Sequence, residues 1–203
     1  MGCDDLFKKR KARLSRAVKP TMKVRDRVLI CCEGERTEPN YFKGFRLSNV
    51  NIFGLGYNTD SLVKKAVEIK NEAEKDEEPY DTAWCVFDRD SFPVKNYSDA
   101  FTIAKNNKIR VIFSNEAFEL WYLLHFCFCD SALSREQYGD KISQFIGKKY
   151  TKNDPEMYDR LVDKQSDAIR NSKEILTRAQ GQPIHNPSLN VFVLVEYLNK
   201  WVR

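Results

Sequence analysis

The chain has 203 residues, 42% apolar and 12% aromatic, enough to bury one core with a small extension and too apolar for a disordered chain. Charged residues reach 31%, and no apolar run approaches the roughly 20 residues that span a bilayer. The net charge of +5 is uneven: residues 1–27 carry ten Lys/Arg against Asp4, Asp5 and Asp26, a balance of +7, which leaves −2 for the rest. The start of the chain is basic without an apolar stretch, unlike a secretory signal, so a cytoplasmic location without membrane attachment is expected. A basic arm over 1–27 suits the neutralisation of nucleic-acid phosphates, although a solvated tail has the same composition.

After the arm, Val28-Leu29-Ile30-Cys31-Cys32 is a short continuous apolar run, the pattern of a strand covered on both faces. Glu33-Gly34-Glu35 ends it. Thr37 reads as the N-cap of a helix with Pro39 in its first turn. A weak strand is expected over 50–55. A helix follows over 61–75, with apolar positions 62, 63, 66, 67 and 69. Asp76–Tyr80 reads as an acidic turn. Thr82–Phe87 is the second clear strand and runs directly into Asp88-Arg89-Asp90. Ser91-Phe92-Pro93 forces a loop before a helix over 97–106, and Ile109–Phe113 is a further strand. Ser114-Asn115-Glu116 signals the start of a very apolar helix over 117–128. Beyond it the pattern is helical, over about 134–146, 155–179 and 188–201, with Asn186-Pro187-Ser188 resembling a helix N-cap.

This order predicts an α/β core over 28–130, built on a parallel sheet flanked by helices, with a helical C-terminal part over 131–203 packed on it. In open parallel sheets the ligand site lies at the carboxyl ends of the strands. The two strongest strands both end there in acids. Glu33 follows one, and Asp88 and Asp90 follow the other, two apart and so on one side of an extended chain. Three carboxylates on one edge repel one another unless a hard cation joins them, and Mg²⁺, for which Mn²⁺ substitutes, takes a few carboxylates with water and phosphate oxygens. Gly34 reads as a place for close approach of a substrate backbone.

The six cysteines make no CxxC pair, and His125 and His185 are the only histidines. Zinc is therefore not expected, and the thiols read as small core residues. Glu38 is either a ligand of a second ion or ordinary helix-start acidity. Glu119, in an otherwise apolar segment, is either paired, a further metal ligand, or on the one exposed face. His125 reads as packed. Arg36, Lys43 and Arg89 are candidate phosphate contacts.

An apolar strand followed by Glu33-Gly34, and a later apolar strand followed by Asp88-Arg89-Asp90, resembles the TOPRIM domain of topoisomerases, primases and defence nucleases. Over nearly the whole chain, LICCEGERTEPNYFKGF (29–45), VFDRDSF (86–92), SNEAFELWYLLHF (114–126) and HNPSLNVFVLVEYL (185–198) resemble the RloB-like family, which is bacterial and TOPRIM-like. The resemblance implies acid/base or metal chemistry at Glu33 and Mg²⁺ held by Asp88 and Asp90. It also implies a setting in restriction or phage-defence loci beside an ABC-type or AAA-type ATPase partner. The expected function is a metal-dependent nuclease acting on RNA such as tRNA, or on DNA, as an antiviral effector. The alternative is a non-catalytic regulatory or binding subunit of the ATPase complex. Self-association into a homo-oligomer stays open.

Overall fold

The computed structural model describes residues 25–89 and 94–202. Most of the basic arm, with the loop that holds Asp90, lies outside the described residues. Among those residues the elements run β1 (Val28–Cys32), α1 (Thr37–Lys43), β2 (Val50–Gly54), α2 (Thr59–Lys75), β3 (Thr82–Asp88), α3 (Val94–Asn106) and β4 (Ile109–Asn115). Then come α4 (Glu119–Leu123), α5 (Arg135–Ile146), α6 (Met157–Leu161), a 3₁₀ turn (Val162–Lys164), α7 (Gln165–Arg178), β5 (Ser188–Leu189) and α8 (Val191–Asn199).

The sheet order is β2-β1-β3-β4-β5. The first four strands are parallel, and β5 is antiparallel to β4. The expected α/β architecture, a mostly parallel sheet flanked by helices with a helical C-terminal part, is therefore the observed one. All five residues of β1 are fully buried, because the strand is paired on both sides and covered on both faces. Alternation along it separates two cores. Leu29 and Cys31 join Cys85 and Phe87 beneath α2 and α3, while Ile30 and Cys32 join Trp84, Val86 and Ile112 on the other face. That second face receives α1 and every described helix from α4 onward. Cys31, Cys32 and Cys85 are buried free thiols. Burial pushes Cys31 up to about 12 and the other two well above their ordinary value. They pack as small apolar groups, as expected. No helix among the described residues is long and apolar enough to cross a membrane.

Three expectations need correction. The apolar stretch 117–128 is helical only over Glu119–Leu123. It is buried all round, so its composition carries no stripe to mark an end. Tighter bonds stop the helix: His125 N–H donates to the Tyr122 carbonyl and Phe126 N–H to the Leu123 carbonyl. The carbonyls they free are taken by side chains, Trp121 by His125 Nδ1 at 2.9 Å and Leu124 by Asn171 Nδ2 at 2.8 Å. The expected single helix over 155–179 is two helices about a 3₁₀ turn. Its first part packs on α1, with Tyr158 4.8 Å from the Phe45 ring, whereas α7 packs on α4 and α8, and the tight turn redirects the axis between them. The expected helix over 188–201 begins only at Val191, after β5. Asn190 is the reason: its Oδ1 accepts from Phe113 N–H at 2.7 Å and its Nδ2 donates to the Val111 carbonyl at 3.0 Å. That side chain continues the ladder along β4 instead of capping a helix.

His125 is packed, 2% exposed, with no hydrogen-bond partner at Nε2. Burial holds its imidazole down at about 4, against roughly 6.5 in an unfolded chain. The unfolded state therefore takes up the proton first. The contribution, ~3 kcal/mol in full, is present above about 6.5 and is lost as pH falls towards about 4. Denaturant midpoints measured from pH 7 to pH 4 are expected to fall more steeply for the native chain than for His125→Phe. Equal slopes would show that the imidazole titrates normally.

Candidate functional site

The parallel register sets the two strand ends side by side. Cys32 pairs with Val86, and Glu33 N–H extends the ladder by donating to the Val86 carbonyl at 2.9 Å. Asp88 ends β3 opposite Ser114 of β4. It continues the alternation of Trp84 and Val86, so its side chain leaves the sheet on the face that carries α1, α4 and α5. Each of those helices delivers a charged group. Glu38 comes from the first turn of α1 and is 5% exposed; Glu119 opens α4 and is 6% exposed. Tyr41 holds the two helices together, with ring centroids 5.8 Å from Phe118 and 6.1 Å from Trp121. The Tyr122 hydroxyl also donates to the Thr37 carbonyl at 3.3 Å.

The result is a cavity of about 390 Å³ lined by Glu33, Glu38, Asp88 and Glu119, with Arg36, Arg135 and Lys152 among its cations. Arg135 stands at the first position of α5, and its guanidinium lies 3.5 Å from the Asp88 carboxylate. Ser134 caps that helix in a reciprocal capping box with Gln137. Lys152 is brought in by a loop tied to α1. Thr37 Oγ1 hydrogen-bonds Asn153 Oδ1 at 2.8 Å, and Asn40 Nδ2 donates to the Asn153 carbonyl at 3.0 Å. The Tyr150 hydroxyl donates to Glu119 at 3.2 Å.

The electrostatics follow from burial and crowding. Burial, then the negative charges of Glu38 and Glu119 and more weakly of Glu33, push Asp88 well above the usual carboxylate range; Arg135 opposes the rise. Burial also raises Glu38, Glu119 adds to it, and Lys152 and backbone N–H groups pull the other way. Five acids, Glu33, Glu35, Glu38, Asp88 and Glu119, line the cavity at one strand edge, and their oxygen donors suit a hard divalent cation in chemical character. Among the described residues, however, no group of three or more acids, histidines or cysteines is arranged to hold an ion.

A family model described as RloB-like protein matches residues 28–198. The chain belongs to the RloB-like family. No curated protein and no solved structure matches it. The matched span takes in both acidic strand ends, α1, α4 and the whole helical C-terminal part through Leu198.

Against the expected site residues of this RloB-like chain, the structure brings together Glu33, Asp88, Glu119 and Arg36. Asp90 lies outside the described residues. Lys43 sits at the far end of α1, beside a separate depression with Phe42, Phe45 and Arg46, and does not line the acidic cavity. Arg89 does not line it either; its guanidinium reaches the Ile184 carbonyl at 3.4 Å. Gly34 lines the cavity, and a Cβ there would meet the Glu38 carboxylate. Thr37 spends its hydroxyl on Asn153, and Arg36 takes the cap position without a side-chain bond. Arg135, Lys152 and Tyr150 were not singled out from sequence. The only local signal was Ser134 three residues before Gln137, which marks a helix start but not what that start faces.

The sign of the Glu38 shift yields a test. A carboxylate raised by burial contributes stability that is present below about pH 4 and lost as pH rises through its folded value. At pH 7 its charge is therefore a liability. Glu38→Gln is expected to raise the melting temperature at pH 7 by about 2–4 °C for each kcal/mol relieved in a chain of this size, and to gain nothing at pH 4. Scanning calorimetry at both pH values decides it, and an equal change at both would mean that charge is not the cause.

Proposed function

We propose that this chain is a metal-dependent nuclease. The single observation that carries the reading is the convergence of Glu33, Glu38, Asp88 and Glu119 at the carboxyl ends of parallel strands, inside a cavity that also holds Arg36, Arg135 and Lys152. Acids for a cation and cations for phosphate are the two halves of a phosphodiester site. Glu33 and Asp88 would hold Mg²⁺, or Mn²⁺ in its place, with Asp90 and Glu119 as further oxygen donors; water and a substrate phosphate complete the shell. The ion supplies Lewis-acid stabilisation of the charge that builds on the phosphodiester.

The remaining work falls to the chain itself. Glu33 would accept the proton of an attacking water. Arg36 and Lys152 are exposed cations that bind the phosphates on either side. Tyr150 orients Glu119 by its hydrogen bond. The resemblance set out above supports RNA such as tRNA, or DNA, as substrate. It also supports an antiviral role in the bacterial cytoplasm under the control of an ABC- or AAA-type ATPase.

A second reading, a regulatory subunit without turnover, is favoured by one observation: Asp88 already faces Arg135 at 3.5 Å. Incubating the full chain with mixed tRNA and with DNA oligonucleotides, with Mg²⁺ or Mn²⁺, separates the two. Metal-dependent cleavage is expected, lowered by about 10²-fold or more in Glu33→Gln and Asp88→Asn. Absence of cleavage by a chain that still binds Mn²⁺ through these acids supports the regulatory subunit.

Lys152→Ala gives an independent check on the phosphate contacts. It is expected to weaken nucleic-acid binding for every sequence and to reduce the salt dependence of log K by roughly one ion contact. An unchanged salt slope in a fluorescence-anisotropy titration would remove Lys152 from the interface.

A further inference from the structure

The pairing of Arg135 with Asp88 carries an inference about how the site is regulated, and it rests on the metal reading above. Asp88 is the acid on which the others act: Glu38, Glu119 and Glu33 all face it with negative charge, and Arg135 is the cation that offsets them. The two partners are unequally placed. The Asp88 side chain is 15% exposed and the Arg135 side chain 41%, and they lie 3.5 Å apart. A tight charge-assisted hydrogen bond has about 2.7–2.9 Å between its heavy atoms. The contact is thus a loose ion pair whose cation is carried by the first turn of α5.

A guanidinium prefers a phosphate that it can grip with two N–H groups to a carboxylate that it meets at a distance. Asp88 in turn would exchange one monovalent charge for a divalent one. We propose that Arg135 is the resident counter-cation of the site: it occupies Asp88 in the resting chain and is drawn away by a polynucleotide phosphate, which releases Asp88 to the metal. Metal and nucleic acid then bind with positive coupling, and the resting chain holds its ion weakly.

Arg135 is exposed at a capped helix start, so its replacement leaves the core untouched. The readout is Mn²⁺ binding, followed by the electron paramagnetic resonance of free Mn²⁺, in the full chain without turnover. Titrations are run with and without a phosphorothioate single-stranded oligonucleotide. The native chain is expected to bind Mn²⁺ about 10-fold more tightly with the oligonucleotide than without it, within the usual range of site–site coupling. Arg135→Gln is expected to bind Mn²⁺ tightly by itself and to lose the coupling. Arg135→Lys, which keeps the charge, is expected to return to weak binding. Equal Mn²⁺ affinity in native and Arg135→Gln chains, or weaker affinity in the variant, overturns the counter-cation role and leaves the metal reading standing. Absence of Mn²⁺ binding in all three, with and without the oligonucleotide, overturns both.

Discussion

Burying like charges together is expensive, and the functional end of this molecule is organised around that cost. Asp88, Glu38 and Glu119 are largely buried, Glu33 is partly so, and each of the first two is raised by its surroundings. A fold held only by its cores would place apolar groups there. Instead the parallel pairing of β1 with β3 sets two acidic strand ends in neighbouring rows, and two helix starts add a third and a fourth acid. Stability lost at such an edge is stability that a bound cation would restore.

The helices after β4 give the edge its other half. They pack on one face of the sheet only, the face onto which Asp88 projects. That asymmetry is why α5 and the loop before α6 deliver Arg135 and Lys152 to the cavity. The same layer supplies the ties that keep the acids in place: Tyr150 on Glu119, Asn153 on Thr37 and Asn40, and Gln165 on the Tyr41 hydroxyl at 3.3 Å. The C-terminal half is therefore part of the site as well as part of the core, and β5 joins it to the sheet itself.

Reading order from composition worked where one physical rule dominated. β1 and β3 were legible because strands buried on both faces are short apolar runs with abrupt polar ends, as at Cys32-Glu33 and Phe87-Asp88, whereas the half-exposed edge strand β2 gave only a weak signal. The helix α2 was legible from one-sided burial. The failures share a different origin. At 117–125 burial on every side erased the period that marks where a helix stops. At 188–190 a side chain, Asn190, did the work of backbone and turned an expected helix start into a strand edge.

By itself the sequence determined that Glu33 and Asp88 end neighbouring parallel strands, since hydrophobic runs, their lengths and the βα alternation leave little choice of topology. It also determined that Cys31, Cys32 and Cys85 are core residues. Only the tertiary structure decided that Glu38 and Glu119 face those strands, that Lys43 and Arg89 do not line the cavity, and that Arg135 and Lys152 do. The reason is geometric. Strand order follows from local pattern, whereas the direction in which a helix points its first turn depends on the packing of residues more than a hundred positions away, such as Gln165 against Tyr41 and Asn153 against Thr37.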